Sequence, residues 1–298
     1  MTKVTDGSGP GREATSSDRP RLAVLIPVFN DHVGLERSLA SLADDGSHFD
    51  VFVVDDGSDP PVMTPPDLPY EVRLIRREPN QGITAALNAG LARIGVGGYQ
   101  YVARLDAGDL SLPGRLGAQT RFLDRHLTHA VVGTAARDVN TAGDLLFDFY
   151  PPTEDRALKR FLRYRAGLVH PSVMIRLEAL LACGGYRDKF PGGEDYDLFM
   201  RIGKSYALAN LSSLLVVKEV TSHSITSRRR RLIMTRVKLL AHHFDPSSPH
   251  SYLGIATSLM LLLLPRWIVL RSRHHLGKWR HGTRPAPGKP NWSGPRPT

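Results

Sequence analysis

Three short apolar runs that each break into polar and acidic residues constrain this chain more than any other feature. LAVLIPV (22–28) leads into Phe29, Asn30 and Asp31, and DVFVVDD (50–56) into Gly57 and Ser58. YVAR (101–104) leads into Leu105, Asp106, Ala107, Gly108 and Asp109. Runs of this length suit strands buried on both faces, as in a parallel sheet. VRLIRRE (72–78) is a further strand candidate. Between the strands, Leu35, Leu39 and Leu42 fall on one helical face behind a cap at Asn30 or Asp31. Ile83, Leu87, Leu91 and Ile94 form a second stripe. The order strand, helix, strand, strand, helix, strand predicts an α/β domain with a Rossmann-like, mostly parallel central sheet flanked by helices. Ligands of such sheets bind beyond the carboxyl ends of the strands, where these acids collect.

The remaining segments have a looser rhythm. HAVVGTAARDVN (129–140) reads as a strand and turn, and TEDRALKRFLRYRAG (153–167) as a capped helix. PSVMIR (171–176) reads as a strand, followed by a short helix to Cys183 that Gly184 and Gly185 end. EDYDLFMRI (194–202) begins a helix on which Asp197 and Arg201 make a surface pair, and YALANLSSLLVVKEV (206–220) closes the sheet. The expected divisions are a disordered leader (1–20), the α/β domain (21–220), a helical extension (221–275) and a disordered basic tail (276–298).

Charge divides the chain in the same way. From Arg228 onward there are 14 Lys and Arg against one acid, whereas the first 227 residues carry a net charge of −3. The single cysteine, Cys183, permits no internal disulfide and no cysteine-based zinc site. The main domain lacks a basic motif interleaved with aromatics, so nucleic acid is not an expected partner. In the extension, Ile233, Val237, Leu240, Ala241 and Phe244 make an apolar stripe, and an apolar run lies at 252–270, interrupted by Pro265 and Arg266. Basic flanks on both sides of that run point to a membrane-seeking extension on the cytoplasmic face. Three arrangements are open: peripheral or monotopic attachment, a true span, and a soluble helical interface. The break at Pro265 favours the first.

A carboxylate at a strand end can accept hydrogen bonds from a base N–H or ribose hydroxyls, or hold a divalent cation against a diphosphate. The chain has no GxxxxGK[ST] loop and no GxGxxG after its first strand. Neutralising a diphosphate would therefore fall to a metal.

Five segments, VLIPVFND, VFVVDDGSDP, EPNQGITAALNAGL, VARLDAGDLSLPGRL and GGEDYDLFMRI, occur in this order between residues 22 and 220. In order and spacing they resemble the family 2 glycosyltransferases, inverting enzymes of GT-A fold. The resemblance implies transfer of a sugar from a nucleotide-sugar donor, most readily a UDP-sugar, to a glycan or lipid-linked acceptor in cell-envelope polysaccharide synthesis, with Mg²⁺ or Mn²⁺ as cofactor. It implies that Pro27, Phe29 and Asn30 line the nucleotide pocket and that Asp56 binds the base with Asp55 beside it. Asn80, Gly82 and Asn88 would flank the nucleotide, and Arg104 and Asp106 would lead into the metal motif. Asp195, next to Glu194, matches the catalytic base, which a helix start would keep ionised, and His170 falls on the acceptor side.

One position departs from the pattern. Many relatives read Asp-Ala-Asp-Asp where this chain reads Asp106-Ala107-Gly108-Asp109. Either Asp109 joins Asp106 at the metal through a turn that Gly108 permits, or Asp109 caps a helix beginning near Leu112 and Pro113. Rival readings are a non-catalytic nucleotide-sugar-binding scaffold and a nucleotidyltransferase, although the latter would want a glycine-rich basic loop after the first strand.

Overall fold

A computed structural model describes residues 20–220 and 229–263. The expected leader, the run beyond Leu263 with Pro265 and Arg266, and the basic tail lie outside these residues, the leader but for Pro20.

The expected order is present: β1 (Leu22–Val28), α1 (His32–Ala40), β2 (Phe49–Asp56), β3 (Glu71–Arg77), α2 (Ile83–Gly95) and β4 (Tyr101–Arg104). These four strands are parallel in the order β3-β2-β1-β4. β1 and β2 are buried along their whole length, which is why they read as unbroken apolar runs. β3 is the exposed edge, protected by Arg73, Arg76 and Arg77.

Beyond β4 the sheet turns mixed, whereas a mostly parallel sheet was expected. β8 (Met174–Arg176) lies antiparallel to β4 and to β6 (His129–Val139), and β9 (Ala207–Glu219) runs parallel to β6. β7 (Leu145–Phe149) forms a hairpin with β6, and β5 (Leu110–Ser111) pairs antiparallel with β9 at the far edge. An antiparallel strand needs no helical crossover, and β8 is entered through a 3-10 turn, His170–Ser172. That turn takes up the first half of the segment expected to be strand, because Pro171 has no N–H for a ladder. The remaining helices are α3 (Arg115–Arg125), α4 (Asp155–Leu162), α5 (Leu177–Ala182) and α6 (Glu194–Ile202). α3 starts after Gly114, so Asp109 is not its cap, and residues 110–111 have become strand instead.

Two helices of the extension, α7 (Arg229–His242) and α8 (Pro249–Leu263), sit directly on the α/β domain. α7 buries Thr235, Leu239, Leu240 and the following His243, and its two leucines join the same apolar cluster as Leu198 and Phe199 of α6. Of the expected stripe only Leu240 is fully buried, because polar contacts set the helix rotation. Thr235 Oγ1 donates to the Pro191 carbonyl at 3.3 Å, and His243 Nε2 lies 2.8 Å from Asp197 Oδ1. Asp197 also holds Arg201, so this i, i+4 pair is buried rather than at the surface. α8 turns its small residues inward: Ser251, Gly254 and Ser258 are buried. None of the described helices is long and apolar enough to cross a membrane.

A Cβ at Gly254 would stand 2.3 Å from the Arg163 carbonyl oxygen and 2.9 Å from Tyr164 Cα, both backbone atoms. Gly254→Ala should therefore lower stability by about 1–3 kcal/mol and loosen α8. Thermal unfolding and limited proteolysis measure both effects, and an unchanged melting temperature would contradict this packing.

Candidate active site

Parallel register sets the ends of β1, β2 and β4 side by side, with Val28 opposite Asp55 and Leu25 opposite Arg104. Past Pro27, the Phe29 ring is half exposed and Asn30 adopts a positive φ of 52°. Asn30 ties β1 to the β2 loop: its N–H donates to Ser58 Oγ at 2.9 Å, and its side-chain oxygen accepts from Asp59 N–H at 2.9 Å.

The two acids at the end of β2 are each held by an arginine of the edge strand. Asp55 is fully buried and accepts from Ser58 N–H at 2.9 Å, from Val62 N–H at 3.2 Å and from Arg76. Burial alone would raise its pKa, but these bonds hold the carboxyl below the usual range. Asp56 accepts from Arg77 at 2.8 Å and from the Gln81 and Gly82 N–H groups, the latter at 2.7 Å. It thereby anchors the loop that carries Asn80. Gly57 lets this loop come close, since a Cβ there would meet Asn80 N at 2.7 Å. Asn88, one turn into α2, exchanges two hydrogen bonds with the Tyr186 backbone, at 2.9 and 3.1 Å. Its amide braces the 186 segment.

Arg104 is the centre of the β4 end. Its guanidinium is buried and donates to the Leu25 carbonyl, to Asp106 Oδ1 at 2.5 Å and to His170 Nε2 at 3.3 Å. Tyr186 Oη lies 2.9 Å from the same His170 nitrogen. An arginine N–H can only donate, so His170 Nε2 accepts and the ring proton sits on Nδ1. Burial, and then the Arg104 charge, push the His170 pKa down to about 3, which keeps it neutral. The Tyr186 hydroxyl is pushed up by burial and stays protonated.

The following turn separates the two acids of the motif. Gly108, at φ 93°, and Asp106 are gripped from α1 by Ser38, whose Oγ accepts from Gly108 N–H at 3.0 Å and reaches the Asp106 and Asp109 carbonyls. Asp106 keeps a partly open side chain, whereas Asp109 is buried and its Oδ1 accepts from Glu219 N–H at 3.0 Å. Burial and the Asp106 charge push the Asp109 carboxyl well above its ordinary range. Asp109 thus pins the turn to the end of β9. A second buried guanidinium, Arg115, donates to the Arg104 carbonyl at 2.7 Å, and burial brings its pKa down to about 9. Neither Arg115 nor Tyr186 stands out in the sequence, since a cation among apolar residues and a lone tyrosine carry no spacing signal.

Glu194 and Asp195 open α6 after Gly193. Glu194 is buried, and its Oε2 accepts from Gly192 N–H at 2.9 Å. Asp195 keeps some solvent contact, and its Oδ1 accepts from Tyr196 N–H at 2.7 Å. Burial first, then repulsion by Glu194 and Asp106, raise its pKa to about 7, so the helix start does not keep it as acidic as expected. α7 backs this loop, with Leu239 packed against Gly193.

The described residues contain no group of three or more His, Cys, Asp and Glu that could hold a metal. A divalent cation bound through one carboxylate and the phosphates of its substrate needs no such group. The open Asp106 carboxylate fits that arrangement, and a Cβ at Gly108 would meet only the Asp31 carboxylate, with Oδ2 at 3.5 Å.

Comparison with known proteins places this geometry in a family. The family model described as "Glycosyl transferase family 2" matches residues 23–182, and the chain belongs to that family. The amylovoran biosynthesis glycosyltransferase AmsE of Erwinia amylovora is 28% identical over 52% of this chain and 57% of its own length. The chain spans between 57% and 63% of the first curated relatives it matches. Among solved structures, residues 1–349 of S. aureus TarS with UDP-GlcNAc align at 18% identity and a TM-score of 0.58, covering 80% of this chain and 71% of that one. The mannosyltransferase PcManGT of Pyrobaculum calidifontis, solved with GDP-Man and Mn²⁺, aligns at 19% identity and a TM-score of 0.57, covering 93% and 80%. These two likenesses show a shared GT-A fold.

The raised Asp195 pKa also bears on stability. Its pKa of about 7 in the folded chain exceeds that of an unfolded aspartate, about 3.9. The unfolded chain therefore binds fewer protons between these values, and this group's contribution to stability falls as pH rises from about 4 to about 7. Asp195→Asn should melt higher than the parent chain at pH 8, with the gap closing toward pH 4. Thermal unfolding across that range measures the difference.

Proposed function

We propose that this chain transfers a sugar from a UDP-sugar to a hydroxyl of a glycan or lipid-linked acceptor, with inversion at the anomeric carbon. The synthesis would serve a cell-envelope polysaccharide at the cytoplasmic face of the membrane. The observation that carries the reading is Asp195: a partly open carboxylate with a pKa of about 7, next to the cluster at the strand ends. A general base works best when its pKa lies near the operating pH.

In the proposed reaction Asp195 accepts the proton of the acceptor hydroxyl. The hydroxyl oxygen bonds to the anomeric carbon as the carbon–oxygen bond to the diphosphate breaks. Glu194 keeps Asp195 basic by charge repulsion and fixes the preceding turn through Gly192. A Mg²⁺ or Mn²⁺ held by Asp106 would neutralise the departing diphosphate, while Asp109 holds the turn in place. Arg104 and Arg115 add positive charge beneath the same turn. The base would lie near Asp56, between Phe29 and the 80–82 loop, with Pro27, Asn30 and Asp55 shaping the pocket floor. His170, neutral and bonded to Arg104, orients that guanidinium from the acceptor side. UDP is favoured because a carboxylate such as Asp56 can accept from a uracil N–H, and the TarS neighbour supports the choice by its complex with UDP-GlcNAc.

Asp195→Asn should lower turnover about 10²–10⁴-fold while leaving UDP affinity within about threefold. Release of UDP, GDP or dTDP from a donor panel, with membrane extract as acceptor, measures turnover and names the nucleotide. Full activity in this variant would remove the assignment. Asp106→Asn should abolish the gain in UDP affinity that Mn²⁺ confers and leave metal-free binding nearly unchanged, as read by calorimetry.

A further inference from the structure

α8 is turned inside out relative to an ordinary amphipathic helix. Its buried positions are Ser251, Gly254 and Ser258. Its large apolar side chains face outward: Tyr252 is 54% exposed, Leu253 48%, Leu259 45%, Met260 53% and Leu263 85%. With the exposed Ala256 these positions follow i, i+1, i+4, i+7, i+8 and i+11, one continuous stripe along three turns. The inward face cannot be exchanged for the outward one, because Gly254 fits where any Cβ would strike the Arg163–Tyr164 backbone. The domain thus holds the apolar face away from itself.

Charge identifies the occupant. On α7, Arg230, Arg231 and Lys238 are exposed beside the half-exposed Leu232 and Met234. The 35 residues after Leu263 contain eight Lys and Arg and no acid. An apolar, uncharged helix face with cations before and after it in the chain suits the boundary of an anionic bilayer, where apolar side chains enter the acyl region and cations meet lipid phosphates. A second copy of this chain would bring like charges together around the same stripe.

We infer that the outer face of α8, from Tyr252 to Leu263, docks the protein in one leaflet of an anionic membrane, with the exposed cations of α7 on the lipid headgroups. The surface gives the membrane-side reading of the acceptor a structural means, and it rests on that reading only for its purpose. α7 also touches the turn before Glu194, through Thr235 and Leu239. The docked surface and the acid pair therefore belong to one packed unit.

The test is co-flotation of the full chain with vesicles of phosphatidylglycerol and phosphatidylcholine, and with phosphatidylcholine alone. The parent chain should float with the anionic vesicles, and the bound fraction should fall as salt is raised. Leu253→Ser with Met260→Ser should weaken that binding about tenfold or more, with UDP affinity and melting temperature unchanged. Arg230→Gln with Lys238→Gln should erase most of the preference for anionic lipid. Asp195→Asn should float like the parent, so loss of docking and loss of transfer can be told apart. Equal flotation of the Leu253/Met260 double variant overturns the proposal. So does a parent chain that ignores vesicles but forms a dimer by light scattering that the double variant abolishes, which would assign the face to a second copy.

Discussion

Crowding carboxylates at one end of a parallel sheet is electrostatically costly, and the pairing of some of them with arginine decides what each can do. Asp55 is held by Arg76, Asp56 by Arg77 and Asp106 by Arg104. These ion pairs fix all three side chains in place, as suits a nucleotide pocket and a cation site. Asp109 and Asp195 have no ion-pair partner among the described residues, and both have raised pKa values. One of them is sealed under a turn and the other is partly open to solvent. The same physics therefore makes a structural acid of Asp109 and a candidate base of Asp195.

Arg104 extends this control across the site. Its guanidinium joins the β1 backbone, the Asp106 carboxylate and the His170 ring. Because His170 stays neutral, it accepts from the guanidinium without competing for charge. A buried cation with these acceptors is fully satisfied, and removing one of them would leave an expensive unpaired group.

Much of the α/β half was legible in the sequence, because buried parallel strands and one-sided helices leave strong periodic signals. LAVLIPV, DVFVVDD and the stripe from Ile83 to Ile94 became β1, β2 and α2. The mixed half was harder to read. β5 has two residues and β8 three, too few for any period to show, and β7 lies in a stretch (141–152) for which no element was expected. At the site, the residues ending β1, β2 and β4 could be named from their positions. The difference between Asp106 and Asp109 could not, because it depends on a bond to Glu219, 110 residues further along the chain. The burial of Asp197 and Arg201 was equally invisible, since the histidine that covers them comes from the extension.

The docking of α7 moves the true end of the folding unit. Leu239 and Leu240 lie in the same apolar cluster as helix α6, and His243 caps the buried Asp197–Arg201 pair. A shortened version ending at residue 220, where the sheet ends, would strip this cover from the cluster that holds Leu198 and Phe199 and from the Asp197–Arg201 ion pair. A cut shortly after Asp245 would keep it and remove only the outward-facing helix and the basic segment beyond. For anyone preparing a minimal catalytic fragment, the boundary is set by the histidine latch and not by the last strand.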